Sequence, residues 1–146
     1  MILYLNTGYN KKAKQLWTLK GNVFKAVRYI NQNTSRGHFA CFNLPFELYK
    51  CENPIVFENK TTLPKKSINN GHFEEELKLY TNTIYKTIED ELNKMYLKGF
   101  PITDIKIVLS DLIIHPTDSN EFSYKRATQM AIEEVFAVEN LIPVNY

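Results

Sequence analysis

Apolar side chains recur at helical spacing in two stretches of the chain. In the first stretch they stand three or four positions apart, which is typical of an amphipathic helix with one buried face. Gly99 follows as a residue suited to a helix C-cap, and Pro101 cannot continue the helix. The residues of this predicted buried face are Phe73, Leu77, Tyr80, Ile84, Ile88 and Leu92.

The second stretch predicts a helix that begins near Asp118 and ends at Asn140. Asp118 and Glu121 stand three residues apart and resemble a capping box in which Asp replaces the usual Ser or Thr. We therefore expect Asp118 to cap the helix and Ser119 beside it to have a structural role. The predicted buried face consists of Ala127, Met130, Ala131, Val135 and Val138.

Runs of β-branched and aromatic residues predict strands in the rest of the chain. Val23–Ile30 and Phe39–Leu48 flank the polar segment Asn31–Gly37, which indicates a hairpin with that segment at its tip. In this order, strands are followed by a helix, a strand and a helix. The order predicts a two-layer α/β sandwich, with one sheet and both helices on one face. Further extended segments are predicted at Met1–Leu5, Gln15–Lys20, Ile55–Phe57, Ile102–Ile114 and Leu141–Pro143.

The length of 146 residues is that of one domain. We divide the chain into an N-terminal extension of uncertain structure, residues 1–20, and a domain, residues 21–146. No apolar run approaches the roughly 18 residues of a membrane span, so no membrane association is expected. Two cysteines are too few for a disulfide framework, and no secretory signal is visible, so we expect a cytoplasmic protein.

Charge is distributed unevenly along the chain. Residues 1–50 contain eight Lys and Arg side chains and one acidic side chain, a net charge of +7. Residues 51–146 contain ten Lys and Arg side chains and fifteen acidic ones, a net charge of −5. Aromatic residues are interleaved with the basic ones. This pattern suits a nucleic-acid backbone, although Lys also occurs on the solvent faces of ordinary strands.

Motifs for common chemistries are absent. There is no phosphate-binding loop with a Gly-Lys-Ser/Thr ending and no Gly-x-Gly-x-x-Gly. His38, His72 and His115 share no metal-ligand spacing, so no metal or other cofactor is predicted. Cys41 could act as a nucleophile with His38 or His115, but a small buried strand cysteine is the favoured interpretation. We predict no catalytic residue and no enzymatic activity.

One ordered pattern resembles domain IV of translation elongation factor G. Its strongest part comprises Gly99-Phe-Pro-Ile-Thr-Asp-Ile-Lys-Ile-Val-Leu109, then Ile114-His-Pro-Thr-Asp-Ser119, then the helix up to Phe136. That family reads approximately G-Y-P-V-x-D-[IV]-K-V-x-L, followed by Y-H-x-V-D-S-S and an Ala-Phe pair, for which this chain has Ser123-Tyr124. Upstream, Ser35-Arg-Gly-His-Phe39 is similar to the family's Gly-Arg-Gly-Gln-Tyr loop. The resemblance covers roughly residues 30–146, and the factor's GTPase domain has no counterpart in the chain.

The resemblance implies a fold like ribosomal protein S5 domain 2. This fold has a sheet of about four strands, two helices on one face and a left-handed β-α-β crossover. In the factor, two loops at the tip of domain IV approach the decoding centre of the small ribosomal subunit. Carried over by position, the predicted RNA-binding residues are Thr34, Ser35, Arg36, Gly37, His38, His115, Pro116 and Thr117. The basic N-terminal half adds Lys25 and Arg28 as a predicted supporting surface.

Three functions remain as hypotheses. The first is a module that binds the small ribosomal subunit or another structured RNA, acting in or around translation elongation without GTP hydrolysis of its own. The second is a protein-interaction or regulatory module that docks on a larger partner, for example one that supplies a GTPase domain. The third, an enzyme, would need a pocket that converges on Cys41, His38 and His115.

Overall fold

A computed structural model describes residues 2–4, 15–31, 37–62, 70–115 and 117–144. The strands are β1 (Ile2–Tyr4), β2 (Leu16–Leu19), β3 (Val23–Asn31), β4 (His38–Leu48), β5 (Ile55–Asn59), β6 (Ile105–Ile113) and β7 (Leu141–Val144). The helices are α1 (Asn70–Leu97), α2 (Glu121–Val135) and a short 3-10 helix (Val138–Asn140). Neither α1 nor α2 has the apolar length that crossing a bilayer requires, over the part of the chain described.

The main sheet has the strand order β1-β5-β6-β4-β3. Helix α1 connects β5 to β6, which lie side by side and parallel, and all other neighbours in the sheet are antiparallel. The predicted sandwich, with a sheet of about four strands and two helices, is confirmed, and the three-residue β1 adds a short fifth strand at one edge. The left-handedness of the crossover stays a prediction.

The core lies between the sheet and the two helices. Alternate residues of β4 point towards the helices, and so do the predicted residues Ile105, Ile107 and Leu109 of β6, each 0% exposed. From α1, Ile84, Ile88 and Leu92 complete this layer, as the helical spacing predicted. The contributing residues of β4 are Ala40, Phe42, Leu44 and Phe46.

Helix α2 is shorter at both ends than predicted. Its N-cap is Asn120, whose side-chain Oδ1 accepts the N–H of Ser123 at 2.8 Å, so the assignment of the cap to Asp118 was wrong. At the other end the helix stops at Val135, and Asn140 instead ends the following 3-10 turn. Val138 (56% exposed) lies beyond the end of α2, and Met130 (45% exposed) lies within the helix but outside its buried face, both contrary to prediction.

A second, two-stranded sheet joins β2 to β7. Strand β2 pairs with β7, and the backbone N–H of Trp17 donates to the carbonyl of Pro101 at 2.9 Å. The N–H of Thr103 returns a bond of 2.9 Å to the carbonyl of Trp17. These bonds join β2 to the segment that leads into β6. The boundary placed after residue 20 stays a prediction.

Candidate nucleic-acid interface

The beginning of β4 and the loop between β6 and α2 meet at one end of the sheet. The N–H of Phe39 donates to the carbonyl of Asp118 at 3.1 Å, and the hydroxyl of Ser119 donates to the carbonyl of Phe39 at 3.0 Å. Residues 37–39, which follow the part of the first predicted loop that the structure does not describe, thus lie directly against the second loop. Four of the predicted binding residues lie outside the described part of the chain: Thr34, Ser35, Arg36 and Pro116.

A β-bulge directs the second loop. Cys41 faces Ile113 across the β4–β6 pair, whereas Asn43 faces Ser110, so β6 has one more residue than β4 between these pairs. Asp111 takes a positive φ of 52°, which Asp tolerates better than most residues, and its Oδ2 accepts from the side chain of Asn43 at 2.9 Å. Such a bulge bends the strand, and here it does so just before His115.

Gly37 allows the two segments to approach closely. A Cβ atom built at this position would overlap the carboxylate of Asp118. Any larger residue must therefore displace Asp118 or move the beginning of β4 away from the loop. The carbonyl of Gly37 also accepts from the side chain of Asn120 at 3.4 Å, which joins the helix cap to the first loop. The close contact explains why glycine is suited to this position.

The ring of His115 is both a structural element and an exposed donor. Its Nδ1 accepts the N–H groups of Asp118 at 3.0 Å and Thr117 at 3.3 Å, and the ring lies 5.3 Å from that of Phe39 between centroids. Because Nδ1 accepts these bonds, the neutral ring carries its proton on Nε2. The side chain is 35% exposed, and no partner for Nε2 lies among the residues described. Nε2 is thus suited to donate to a ligand.

His38 is occupied by protein contacts instead. Its ring lies 5.8 Å from that of Tyr29 and 5.3 Å from that of Phe122, and its Nδ1 is 3.1 Å from the hydroxyl of Ser123. The ring therefore sits among two aromatic neighbours and a hydroxyl. Stacking of an RNA base on this ring would compete with Tyr29 and Phe122. A hydrogen bond from an RNA group to the other edge of the imidazole ring would not displace either aromatic residue.

A buried cluster of hydroxyl groups supports the loop from below. The hydroxyl of Tyr124 donates to the carbonyl of Ile113 at 2.7 Å and lies 3.2 Å from that of Ser119. The hydroxyl of Tyr80 donates to the carbonyl of Ser119 at 3.1 Å. Burial raises the pKa of Tyr124 and of Tyr80 above the usual range, so both remain protonated donors. The hydroxyl of Ser119 also accepts the N–H of His115 at 2.8 Å, which agrees with its predicted structural role.

The two supporting basic residues lie at different distances from the loops. Arg28 is exposed on the sheet face that points away from the helices, three residues before the end of β3. Lys25 forms an ion pair with Glu134 of α2 at 2.6 Å. It lies six residues, about 20 Å, from Asn31. Lys25 therefore lies outside contact range of a ligand held by the loops, and only its electrostatic field reaches that far.

No alternative site of another chemistry emerges from the described residues. Cys41 is buried in β4, as predicted, and Cys51 is exposed. Within the described ranges there is no group of three or more His, Cys, Asp or Glu side chains that could hold a metal ion.

Comparisons with known proteins show the family to which the chain belongs. The sequence model of the family described as "Elongation factor G, domain IV" matches residues 18–138. The chain belongs to the elongation factor G domain IV family. It is 28% identical to elongation factor G of Carsonella ruddii (strain PV) over 123 residues, which are 84% of this chain and 17% of that protein.

A solved structure shares the fold. A crystal structure of a protein from Thermus thermophilus superimposes with a TM-score of 0.63 at 21% identity, covering 90% of this chain and 18% of that one. The chain thus spans less than a fifth of the length of either relative. The resemblance inferred from residues 99–136 is confirmed, and so are the sheet and the two helices of a fold like ribosomal protein S5 domain 2.

Sequence reasoning missed the residues that support the loops. Ser123 and Tyr124 stand where the family pattern has Ala and Phe, and both added hydroxyls have partners. The hydroxyl of Ser123 donates to Oδ1 of Asn120 at 3.0 Å and lies beside the ring of His38. The hydroxyl of Tyr124 contacts both Ser119 and the carbonyl of Ile113 at the end of β6. The signal was the replacement of two adjacent apolar residues by hydroxyl-bearing ones next to the loop.

Proposed function

We propose that the protein is an RNA-binding module that engages the small ribosomal subunit through the end of the fold that carries the two loops. The observation behind this proposal is the direct contact between Gly37–Phe39 and His115–Ser119. In a member of the elongation factor G domain IV family, this contact supports the proposal that both predicted loops contribute to one binding surface. The proposed role is in or around translation elongation, and the proposed location is the cytoplasm.

The loops offer groups suited to a folded RNA. Nε2 of His115 can donate to a phosphate or ribose oxygen, and the hydroxyl of exposed Thr117 can do the same. Arg36, next to Gly37 in sequence, can donate two parallel hydrogen bonds to a phosphate. Arg28 extends positive charge along the adjacent sheet face. Thr34, Ser35 and Pro116 complete the proposed contact surface.

Asp118 limits where a phosphate can bind. Its carboxylate lies beside Gly37, with Oδ2 3.8 Å from Nδ1 of His115. An acid repels phosphate, so we place the phosphate contacts on the Nε2 side of His115, away from Asp118. Asp118 then serves to order the loop through its backbone bonds to Phe39 and His115.

The proposed module binds RNA without hydrolysing GTP. The whole relatives are several times longer than this chain, and any step driven by nucleotide hydrolysis belongs, in this proposal, to a partner that supplies a GTPase domain. The contribution of this chain is the recognition of a shape and a charge pattern.

Co-sedimentation with purified 30S subunits tests the proposal. We expect binding that weakens steeply with salt, with a slope of log K against log[salt] of about −2 to −4 for a few phosphate contacts. Full-length elongation factor G, added in excess, should displace the chain if both use the same site. Absence of 30S binding at low salt, together with capture of a protein partner through another surface, would contradict the proposal and support a protein-interaction module.

A further inference from the structure

Over the residues that the structure describes, strand β3 is an edge of the main sheet. Among the described residues it pairs with β4 alone, so the outer side of residues 23–30 offers backbone N–H and C=O groups for pairing. Such an edge is a template for another strand, and soluble proteins usually shield it. Phe24 (64% exposed) and Ile30 (51%) stand near its two ends, on the face away from the helices. Within the described ranges, no second strand covers this edge or these apolar side chains.

We propose that this edge pairs with the same strand of a second copy of the chain. The two β3 strands run antiparallel about a twofold axis at Val27 and join two five-stranded sheets into one. An isologous contact of this kind requires a self-complementary surface. This inference does not rest on the proposed function, because it involves the edge of the sheet rather than the loops.

The side-chain pattern of β3 is self-complementary in this register. With Val27 on the axis, Phe24 lies opposite Ile30 of the second copy, and Arg28 lies opposite the small, exposed Ala26. Directly opposed side chains share a face of the sheet, so each apolar residue near an end of the strand gains an apolar neighbour. A register centred on Arg28 would place the two arginines against each other, which is unfavourable. Charge therefore favours the register centred on Val27 over that centred on Arg28, and the pairing of Phe24 with Ile30 is what selects Val27 as the centre.

Helix α2 offers a matching surface beside the strand. A groove of about 220 Å³ separates β3 from α2, and it is lined in part by Met130 and Glu134. Arg126, Met130 and Glu134 follow at four-residue spacing and share one helix face. The same axis places the two α2 helices antiparallel, with Met130 near its own copy and Arg126 near Glu134 of the other. Glu134, which already binds Lys25 at 2.6 Å, would then lie between two cations.

Sedimentation velocity of the nuclease-treated chain over a wide concentration range tests the dimer. We expect a reversible monomer–dimer equilibrium. Ala26→Lys places a lysine opposite Arg28 of the other copy at two symmetric positions, and this repulsion should raise the dimer dissociation constant about ten-fold. Ala26→Glu places an opposite charge at the same two positions and should lower the constant by a similar factor. Asn82→Lys adds the same charge on the exposed side of α1 and should leave the constant unchanged.

Reversing the charge at position 28 in the Ala26→Lys background tests the proposed pairing most specifically. Combining Ala26→Lys with Arg28→Glu restores an opposite-charge pair and should recover the dimer. Hydrogen exchange of the unmodified chain, with slower exchange of β3 amides as concentration rises, tests the same edge without any substitution. A chain that stays monomeric at every concentration overturns the proposal. So does a dimer that responds to neither substitution of Ala26 and leaves exchange of β3 unchanged.

Discussion

Tyr124→Ala is expected to lower the free energy of unfolding by about 3–5 kcal/mol. Tyr124 is 0% exposed, and its ring stacks on that of Tyr80 with 4.3 Å between centroids and packs near Phe42 at 6.1 Å. Truncation leaves a cavity below the loop and removes the donor to the carbonyl of Ile113. Urea unfolding followed by circular dichroism measures the change.

Tyr124→Phe measures the contribution of the hydroxyl to stability apart from that of the ring. It keeps the packing but leaves the carbonyl of Ile113 without this donor, so we expect a loss of about 1–3 kcal/mol. Tyr80→Phe, which removes a longer bond to the carbonyl of Ser119, serves as the matched control and should cost less. A Tyr124→Phe protein as stable as the unmodified chain would show that the hydroxyl cluster does not support the loop.

Arg36→Ala combined with His115→Ala is expected to weaken binding to 30S subunits by about ten- to a hundred-fold. Loss of a charge-assisted bond to phosphate costs roughly 1.5–3 kcal/mol, and the imidazole removes one further donor. Filter binding or co-sedimentation at fixed salt measures the effect. The slope of log K against log[salt] should also become shallower by about one unit, because one phosphate contact is lost.

The matched control for this double variant is Lys98→Ala. Lys98 is exposed beyond the C-terminal end of α1, at the opposite end of the sheet from the loops, and its substitution removes the same charge. Affinity should change little. Equal losses for Lys98→Ala and for Arg36→Ala with His115→Ala would mean that net charge, and not the loop surface, determines binding.

The order of the elements could be predicted because each carries its own periodic signal. The stripe from Tyr80 to Leu92 and the alternation of Ile105, Ile107 and Leu109 depend only on which side of an element faces the core. The start of α2 could not be predicted in this way. Asp118, Ser119 and Asn120 are all side chains that can cap a helix, and only contacts from other parts of the chain distinguish them. Asp118 is held beside Gly37, whereas Asn120 reaches the N–H of Ser123.

The candidate site was predictable in outline and not in detail. The resemblance predicted which two loops form the site, and the described residues beside them, Gly37–Phe39 and His115–Ser119, are in contact. The binding role of the loops stays a prediction. The ring contacts of His38 with Tyr29 and Phe122 depend on the register of β3 with β4 and on the position of α2, which periodicity does not determine. The exposure of Met130 within α2 is likewise not determined by its helical spacing from Ala127 and Ala131.

Directed hydroxyl-radical probing of the chain bound to 30S subunits tests the central claim most directly. The chain offers a matched pair of attachment sites for an iron chelate. Native Cys51 is exposed beyond the far end of β4, about 30 Å along the strand from the loops, and Thr117 is exposed in the second loop. A Cys51→Ser, Thr117→Cys chain carries the probe at the loops, and the native chain carries it at the other end. We predict strong cleavage of the small-subunit RNA from position 117 and little from Cys51; cleavage from Cys51 without cleavage from position 117 would contradict the account.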